Sequence, residues 1–308
     1  MTNAHPARYG FVLLVTALLG VLPGSALAQS NGDGTIYSRF GLGELNTYAS
    51  PQGQGMGGGG AALRSLNYTN LSNPALWSDQ ALTRFVVGAN YQETSARDAT
   101  GAESRLSAGT LNAVQFSFPI YTRTLGFSIG YRPYSQMNYR VVHTGEAPLI
   151  DPDASEPTEY TINHEGRGGL HQVSGGVGWR VRPFLSLGAG VDAIFGILEE
   201  GRRTVVHDGR FAPVNFTDAT RLSGVTGTVG ALLTLGRVFG EEDAFSLGGS
   251  LTLPTSLRGQ RVRTLGESLS RDTLGTAVDG SVELPWHVRT GLSYTPRTRR
   301  MPVVDGAY

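Results

Sequence analysis

The sequence predicts an all-β fold, a transmembrane antiparallel β-barrel, and three observations support this prediction. Apolar and polar residues alternate in about eight segments, an export signal precedes them, and the connections between them alternate in length. In the clearest segment, apolar side chains occupy every second position from Leu185 to Ile197, with Ser, Gly or Asp at most positions between. A period of two is typical of a strand with one apolar and one polar face. Its repetition in an exported chain favours a barrel.

Residues 1–28 have the pattern of a cleavable signal peptide. His5 and Arg8 precede an apolar run, and Ala26-Leu27-Ala28 forms an A-x-A cleavage signature. The apolar run, Phe11 to Leu22, is too short to span a bilayer as a helix. No later window is long and apolar enough to span a bilayer as a helix, so we expect strands to make any membrane contact.

Residues 29–82 differ from the rest of the chain, because they show little alternation and are rich in Gly, Asn and Ser. Gly57 and Gly58 stand in a glycine run, and Asn73-Pro74-Ala75 follows near the end of the segment. This composition predicts either a plug inside a barrel or a short periplasmic domain. The run from Gly53 to Gly58 fits the dinucleotide fingerprint, but no strand precedes it, so we predict no nucleotide cofactor.

Residues 83–308 contain about eight predicted strands. Their approximate bounds are 84–95, 111–121, 125–143, 160–181, 185–206, 220–235, 245–263 and 278–294. The connections at 121–124, 182–184, 236–244 and 295–299 are short, whereas those at 94–110, 145–159, 207–219 and 265–277 are long and polar. Since outer-membrane barrels have short periplasmic turns and long extracellular loops, the first strand is predicted to run outward. Surplus strand length is expected to stand beyond the outer side of the membrane.

Composition and charge exclude several classes of function. The 25 basic and 25 acidic residues balance, so no basic surface for nucleic acid is predicted. The cysteine count of 0 removes disulfide and thiol chemistry. His171 and Ser174 are three residues apart on a predicted strand and therefore point to opposite faces, which argues against a catalytic dyad. We predict a protein that is not an enzyme and that has no cofactor or metal site.

The order of these features resembles a known family. A signal peptide, a Gly/Ala-rich segment, Asn73-Pro74-Ala75 and alternating strands are similar to the FadL-type outer-membrane transporters of long-chain fatty acids and other hydrophobic compounds. Tyr37 to Gly43 is similar to uncharacterised relatives in that superfamily. The resemblance implies a larger barrel with the N-terminal segment as a hatch in its lumen. The hatch motif would then be Gly57, Gly58, Asn73, Pro74 and Ala75.

The resemblance also implies a function, which is passive uptake of hydrophobic small molecules such as fatty acids. The expected location is the outer membrane of a Gram-negative-type bacterium. The expected partners are outer-membrane lipid, the hydrophobic substrate and, during biogenesis, the barrel-assembly machinery. A non-transport barrel of the same superfamily, serving secretion or surface anchoring, is the alternative.

Strand number sets this chain apart from that family. A barrel of about eight strands is just wide enough to be filled by side chains, so a hatch of roughly fifty residues does not fit inside it. Either the N-terminal segment lies outside the barrel, or the sequence is an incomplete version of a longer barrel. Arg297 to Tyr308 has the pattern of a turn and the start of a further strand, which favours the incomplete barrel.

Two features inside the predicted strands point to local function. Pro133 falls in the third strand and cannot donate to the ladder, so we expect a kink or a local opening there. The family resemblance implies that Pro133 marks a candidate lateral opening for substrates. Alternatively, Pro133 marks the point where the strand leaves the membrane. Arg180 and Asp192 lie on opposite sides of a short turn. They are interpreted either as a polar strip along a channel or, preferably, as a salt bridge in the barrel wall.

Overall fold

The computed structural model describes residues 35–46, 60–64, 70–97, 101, 103–147, 158–207, 211–236, 238, 243–266 and 272–295. All of them belong to the unit that spans Asp33–Tyr308. The predicted signal peptide over residues 1–28 lies outside these ranges. None of the helices within them is long and apolar enough to cross a membrane.

Strands make up most of the chain, which confirms the predicted all-β fold class. They are β1 (Glu44–Leu45), β2 (Arg84–Arg97), β3 (Glu103–Tyr121), β4 (Leu125–Gln136), β5 (Tyr139–Ala147), β6 (Thr158–Arg182), β7 (Leu185–Val206), β8 (Val214–Gly236), β9 (Ala244–Thr252), β10 (Thr255–Leu265), β11 (Asp272–Thr273), β12 (Val278–Leu284) and β13 (His287–Thr295). Short 3-10 helices at Ile36–Arg39 and Pro74–Asp79 precede β1 and β2.

The strands form one antiparallel sheet in which neighbours along the chain pair with each other. The order is β2-β3-β4-β6-β7-β8-β10, and three of the long strands are each divided into two pieces. β4 and β5 both pair with β6. β9 and β10 both pair with β8. β12 pairs with β10, and β13 pairs with β9. Each predicted strand therefore has an observed counterpart, and this part of the prediction is confirmed.

Two connections that we predicted as long loops contain substantial strand, so the predicted bounds of those loops are wrong. β2 and β3 pair as far as Arg97 and Glu103, inside the predicted loop at 94–110. β8 begins at Val214, inside the predicted loop at 207–219. The extensions are polar and lack the apolar alternation on which the prediction depended. Backbone pairing in a ladder does not require that alternation, because its hydrogen bonds come from main-chain groups.

The sheet ends at β2 on one side and at β12 and β13 on the other. Within the described ranges, β2 pairs only with β3, β12 pairs only with β10 and β13 pairs only with β9. Pairing between the first and last long strands is therefore absent from the part of the chain that the structure describes.

The two faces of the sheet differ in composition and in exposure. On β7, Leu187, Val191 and Phe195 are 43%, 60% and 44% exposed, whereas Ser186 and Asp192 are 1% and 5% exposed. We call the side of Ser186 and Asp192 the covered face and the side of Leu187 the open face. Soluble proteins bury large apolar side chains and expose polar ones. At these positions of β7 the sheet does the opposite, as the predicted alternation for a membrane strand requires.

The covered face changes in character along the strands. Near the short turns, Ala62, Ala75 and Leu76 of the N-terminal segment pack against Leu232 of β8. Farther from those turns, a larger apolar cluster contains Met137, Tyr139, Leu170, Ile194, Leu198, Leu222 and Leu257. Buried polar side chains lie between the two, so small, polar and apolar layers follow each other along β7.

Candidate functional site

Residues 60–64 and 70–80 lie on the covered face, and we call them the plug segment. Its 3-10 helix, Pro74–Asp79, contacts β4, β6, β7 and β8. Five of its six residues are buried: Pro74, Ala75, Leu76, Trp77 and Ser78. The described part of the Gly-rich N-terminal segment therefore packs against the sheet.

Asn73 fixes the plug segment to the sheet through its side-chain amide. The Asn73 Oδ1 accepts a hydrogen bond from the backbone N–H of Ala75 at 3.0 Å, which caps the 3-10 helix that Pro74 begins. The Nδ2 donates to the carbonyl of Ala61 at 2.7 Å and to the carbonyl of Ala231 in β8 at 3.1 Å. Asn73 is 0% exposed, so these bonds satisfy an amide that is fully removed from water.

Glycines of the sheet make room for the plug backbone. Gly178, Gly188 and Gly230 lie on three neighbouring strands and face Pro74. A Cβ atom at any of them would overlap with atoms of the plug segment. Because a side chain is absent at these positions, the plug backbone rests directly on the backbone of the strands.

Trp77 anchors the centre of the plug segment. Its side chain is 2% exposed, and its Nε1 donates to the carbonyl of Asn70 at 2.8 Å. The ring lies over Gly190, where a Cβ would stand 3.5 Å from the indole, and packs in a cluster with Leu71 and Ala113. A buried indole needs a partner for its N–H, and here the plug segment itself supplies it.

An ion pair links the plug segment to the wall of the sheet. Arg180 of β6 donates a short hydrogen bond to Asp79 Oδ1, and Arg64 lies 3.6 Å from Asp79 Oδ2. The interpretation of Arg180 and Asp192 as a salt bridge is therefore wrong. Arg180 instead contacts Asp79 of the plug segment. The alternation of the two strands gives no information about a partner outside them.

Asp192 lies at the centre of a buried polar network across four strands. Gln172 Nε2 donates to Asp192 Oδ1 at 2.8 Å, and the hydroxyl of Thr228 donates to Oδ2 at 2.5 Å. Arg132 donates from Nε and Nη2 to Gln172 Oε1 at 3.1 and 2.8 Å, and Gln172 also donates to Ser174. The network ties β4, β6, β7 and β8 together beneath the apolar cluster.

Pro133 marks an irregular part of the third strand. The pairing of β4 with β3 ends at Tyr131, and the register with β6 shifts between Pro133 and Ser135. Beyond this point β1 pairs with the β3 side of β4, with Leu45 opposite Ser135. Within the described ranges, β3 and β5 are not paired with each other. The local irregularity that we expected is present, and the role of Pro133 as a lateral exit stays a prediction.

The other predicted residues fall in separate places. Gly57 and Gly58 lie outside the described residues. Asn73, Pro74 and Ala75 form the contact with β8, and their assignment as a hatch motif stays a prediction. His171 accepts or donates a 2.7 Å hydrogen bond with the Tyr131 hydroxyl, whereas Ser174 bonds Gln172, so the two side chains point apart as expected.

Sequence reasoning missed Asp79, Gln172 and Thr228. Their partners come from neighbouring strands or from the plug segment, and cross-strand register cannot be obtained from alternation alone. The bulge between Pro133 and Ser135 shifts that register further. Within the described ranges, the structure contains no cluster of three His, Asp or Glu side chains that could hold a metal ion.

Comparison with known protein families gives a match over most of the chain. The family model described as BamG matches residues 11–294 of this chain. No curated protein and no solved structure matches it. The family match indicates an outer-membrane-related protein, and it does not confirm the FadL-type resemblance.

Proposed function

This chain belongs to the BamG family, and on that premise we propose that it is an outer-membrane protein that works with the barrel-assembly machinery. The family name supports the association with that machinery. The proposed role is structural and non-catalytic, and it differs both from transport and from the secretion or surface-anchoring role that the sequence left open. In it, the strands cross the outer membrane and the plug segment fills the covered face as a fixed part of the protein.

The inversion of the two faces is the observation that carries this proposal. Leu187, Val191 and Phe195 are each more than 40% exposed along one strand, and Val225 and Val229 repeat this on β8 at 60% and 45%. Large continuous apolar patches are rare on soluble monomers. Contact with lipid removes this surface from water, whereas Asp192, Gln172 and Thr228 on the other face already bond each other inside the protein.

Aromatic side chains near the short turns support the same placement. Tyr121, Trp179 and Phe184 are 68%, 54% and 50% exposed. Tyr121 ends β3 beside the turn 122–124, Trp179 lies in the last turn-proximal residues of β6, and Phe184 lies in the turn 183–184. Aromatic rings prefer the interface between lipid headgroups and hydrocarbon. These residues therefore mark the proposed periplasmic edge of the membrane.

The plug segment supports a sealed interior. Asn73, Trp77 and the ion pair of Asp79 hold it against four strands, and the Asp192 network and the apolar cluster lie behind it. A wide aqueous path along the covered face would have to displace buried, hydrogen-bonded groups. A structural partner of an assembly machine has no need of such a path.

Passive uptake of hydrophobic small molecules, such as fatty acids, is the second candidate. The pairing of β3 with β4 ends at Tyr131 and that of β1 with β4 begins at Ser135, and this favours uptake. A gap in the ladder beside Pro133 would give an apolar molecule a route to lipid. This candidate requires a hydrophobic ligand that binds the protein.

Two measurements on the full-length protein, purified from outer membranes in mild detergent, distinguish the candidates. We expect known subunits of the barrel-assembly machinery to co-purify in fixed ratio and labelled fatty acid to show no saturable binding. Saturable fatty-acid binding that is lost in Pro133→Ala, without co-purifying subunits, would favour transport.

A third experiment tests the location. A cysteine at Glu159 should react with an impermeant maleimide on intact cells, and a cysteine at Arg182 should not. Recovery of the protein in the soluble fraction would contradict both candidates.

A further inference from the structure

A cavity of 460 Å³ lies on the covered face, at the end of the strands remote from the plug segment. It is lined by charged and aromatic side chains of β5, β6, β7, β8 and β10, and by Arg39 of the first 3-10 helix. Its volume falls in the range of small-molecule sites, roughly 300–1,000 Å³. We call it the vestibule.

Strand register places the vestibule residues side by side. His164 of β6 is opposite Arg202 of β7, which in turn is opposite Phe216 of β8. One step closer to the apolar cluster, Glu200 is opposite Asp218, and Asp218 is opposite Arg263 of β10. Residues directly opposite in an antiparallel pair share a face, so this group is built by the ladder itself.

Two arginines of the vestibule are free to bind an anion. Arg263 donates to Asp218 at 2.7 and 2.9 Å and Arg261 donates to it at 2.6 Å, so that carboxylate is already neutralised. Arg202 lies over the Phe216 ring, 5.1 Å from its centroid. Neither Arg202 nor Arg39 has a carboxylate within 4 Å in the described part of the chain, and both are exposed. Guanidinium groups match phosphate oxygens in geometry and charge.

The local electrostatics agree with an unneutralised cationic site. The pKa of His164 is lowered by burial first, and then by the charges of Arg39, Arg202 and His143. His164 is therefore neutral at neutral pH, where its ring can donate or accept a hydrogen bond without adding charge.

Glu200 restricts the ligand further. Its carboxylate faces the same cavity, and a bare anion gains nothing from it. A carboxylate is an acceptor for hydroxyl donors, and the faces of Phe216 and Tyr139 offer apolar surface beside it. An anion that also carries hydroxyl groups and a ring would use all of these groups.

We propose that the vestibule binds a phosphorylated sugar. The phosphate lies between Arg39 and Arg202, sugar hydroxyls donate to Glu200, and the ring lies against Phe216. The same chemistry occurs in a free sugar phosphate and in the phosphorylated sugar headgroup of a membrane glycolipid. This inference does not depend on the proposed association with the assembly machinery.

The test is a calorimetric titration of the full-length protein in detergent with glucose 1-phosphate. Inorganic phosphate, glucose, and a sugar phosphate that carries an alkyl chain are the comparison probes. We expect glucose 1-phosphate to bind more tightly than phosphate or glucose alone. Tighter binding of the alkylated probe assigns the headgroup source, and equal binding assigns the free sugar phosphate. No binding of either sugar phosphate, or equal affinity for inorganic phosphate, would overturn the proposal.

Variants connect binding to the named residues. Arg202→Gln should weaken glucose 1-phosphate binding by at least about tenfold, because a charged hydrogen bond is lost. Arg203→Gln is the matched control, since Arg203 is the next residue on β7 and points to the open face. Glu200→Gln should weaken sugar-phosphate binding and leave inorganic phosphate unaffected. Equal affinities of Arg202→Gln and Arg203→Gln, in variants that migrate on gels like the native protein, would contradict the assignment.

Discussion

The two ends of β7 show opposite ways of using the covered face. Near the short turn, Ser186 and Gly188 are small, and the plug segment rests directly on the strand. At the other end, Glu200 and Arg202 are long and charged, and they face an open cavity. The difference teaches that small residues on a polar face indicate contact with another part of the chain, whereas long charged residues indicate contact with water or a ligand.

The largest effect should come from the hydrogen bonds that fix the plug segment. Asn73→Ala leaves the Ala75 N–H and the Ala61 and Ala231 carbonyls without a side-chain partner, which should lower the free energy of unfolding by about 4 kcal/mol. Asn46→Ala is the control, because Asn46 is exposed. Urea titration in detergent measures both variants. Equal losses would show that the plug end is no more firmly packed than the surface.

The open face near the plug end should be the next most sensitive. Val191→Arg should cost about 2 to 4 kcal/mol if Val191 faces hydrocarbon near the midplane. Val205→Arg lies on the same face of β7 at the vestibule end, beyond the proposed membrane, and should cost much less. Folding yields and unfolding free energies in lipid vesicles compare the two. A comparable cost for both would contradict the placement of the membrane around the plug end.

A smaller effect is expected from the ion pair between the plug segment and the wall. Asp79→Asn removes a carboxylate that is 29% exposed and contacts Arg180 and Arg64. Partial exposure screens the pair, so the loss should be about 1 kcal/mol. Glu165→Gln, which breaks the more exposed pair with Arg167, should change the urea midpoint less. The ranking of the two variants tests whether Asp79 fastens the plug segment.

The smallest effect should be a pH dependence at the vestibule end. The hydrogen bond from Arg263, followed by Arg261, holds the pKa of Asp218 below its ordinary value, although burial opposes this. A carboxyl with a lower pKa in the folded state stabilises the protein above its unfolded pKa, about 4, and this contribution is lost as the pH falls through the folded value. The difference in urea midpoint between native protein and Asp218→Asn should therefore be present at pH 7 and shrink as the pH falls through the folded pKa.

Alternation was enough to place the long strands, because a strand with one apolar and one polar face repeats every two residues. It failed in the polar extensions of β2, β3 and β8, where no apolar face is required. It also failed for Arg180, since its partner Asp79 comes from the plug segment and is 101 residues away. The apolar neighbours of Asp192 predicted its position on the covered face. Its hydrogen-bond partners Gln172 and Thr228 could be identified only from the register of the strands in the structure.

Contacts of the plug segment impose an order on the assembly of the protein. Asn73 bonds Ala231, 158 residues later in the chain, and Ser250 donates to the carbonyl of Ser72 across 178 residues. The plug segment is synthesised before the strands that it contacts. It therefore cannot form these hydrogen bonds until β8 and β9 have folded. Hairpins between neighbouring strands close short loops and form early. We therefore expect substitutions at Asn73 to slow the last step of folding and to leave hairpin formation unchanged.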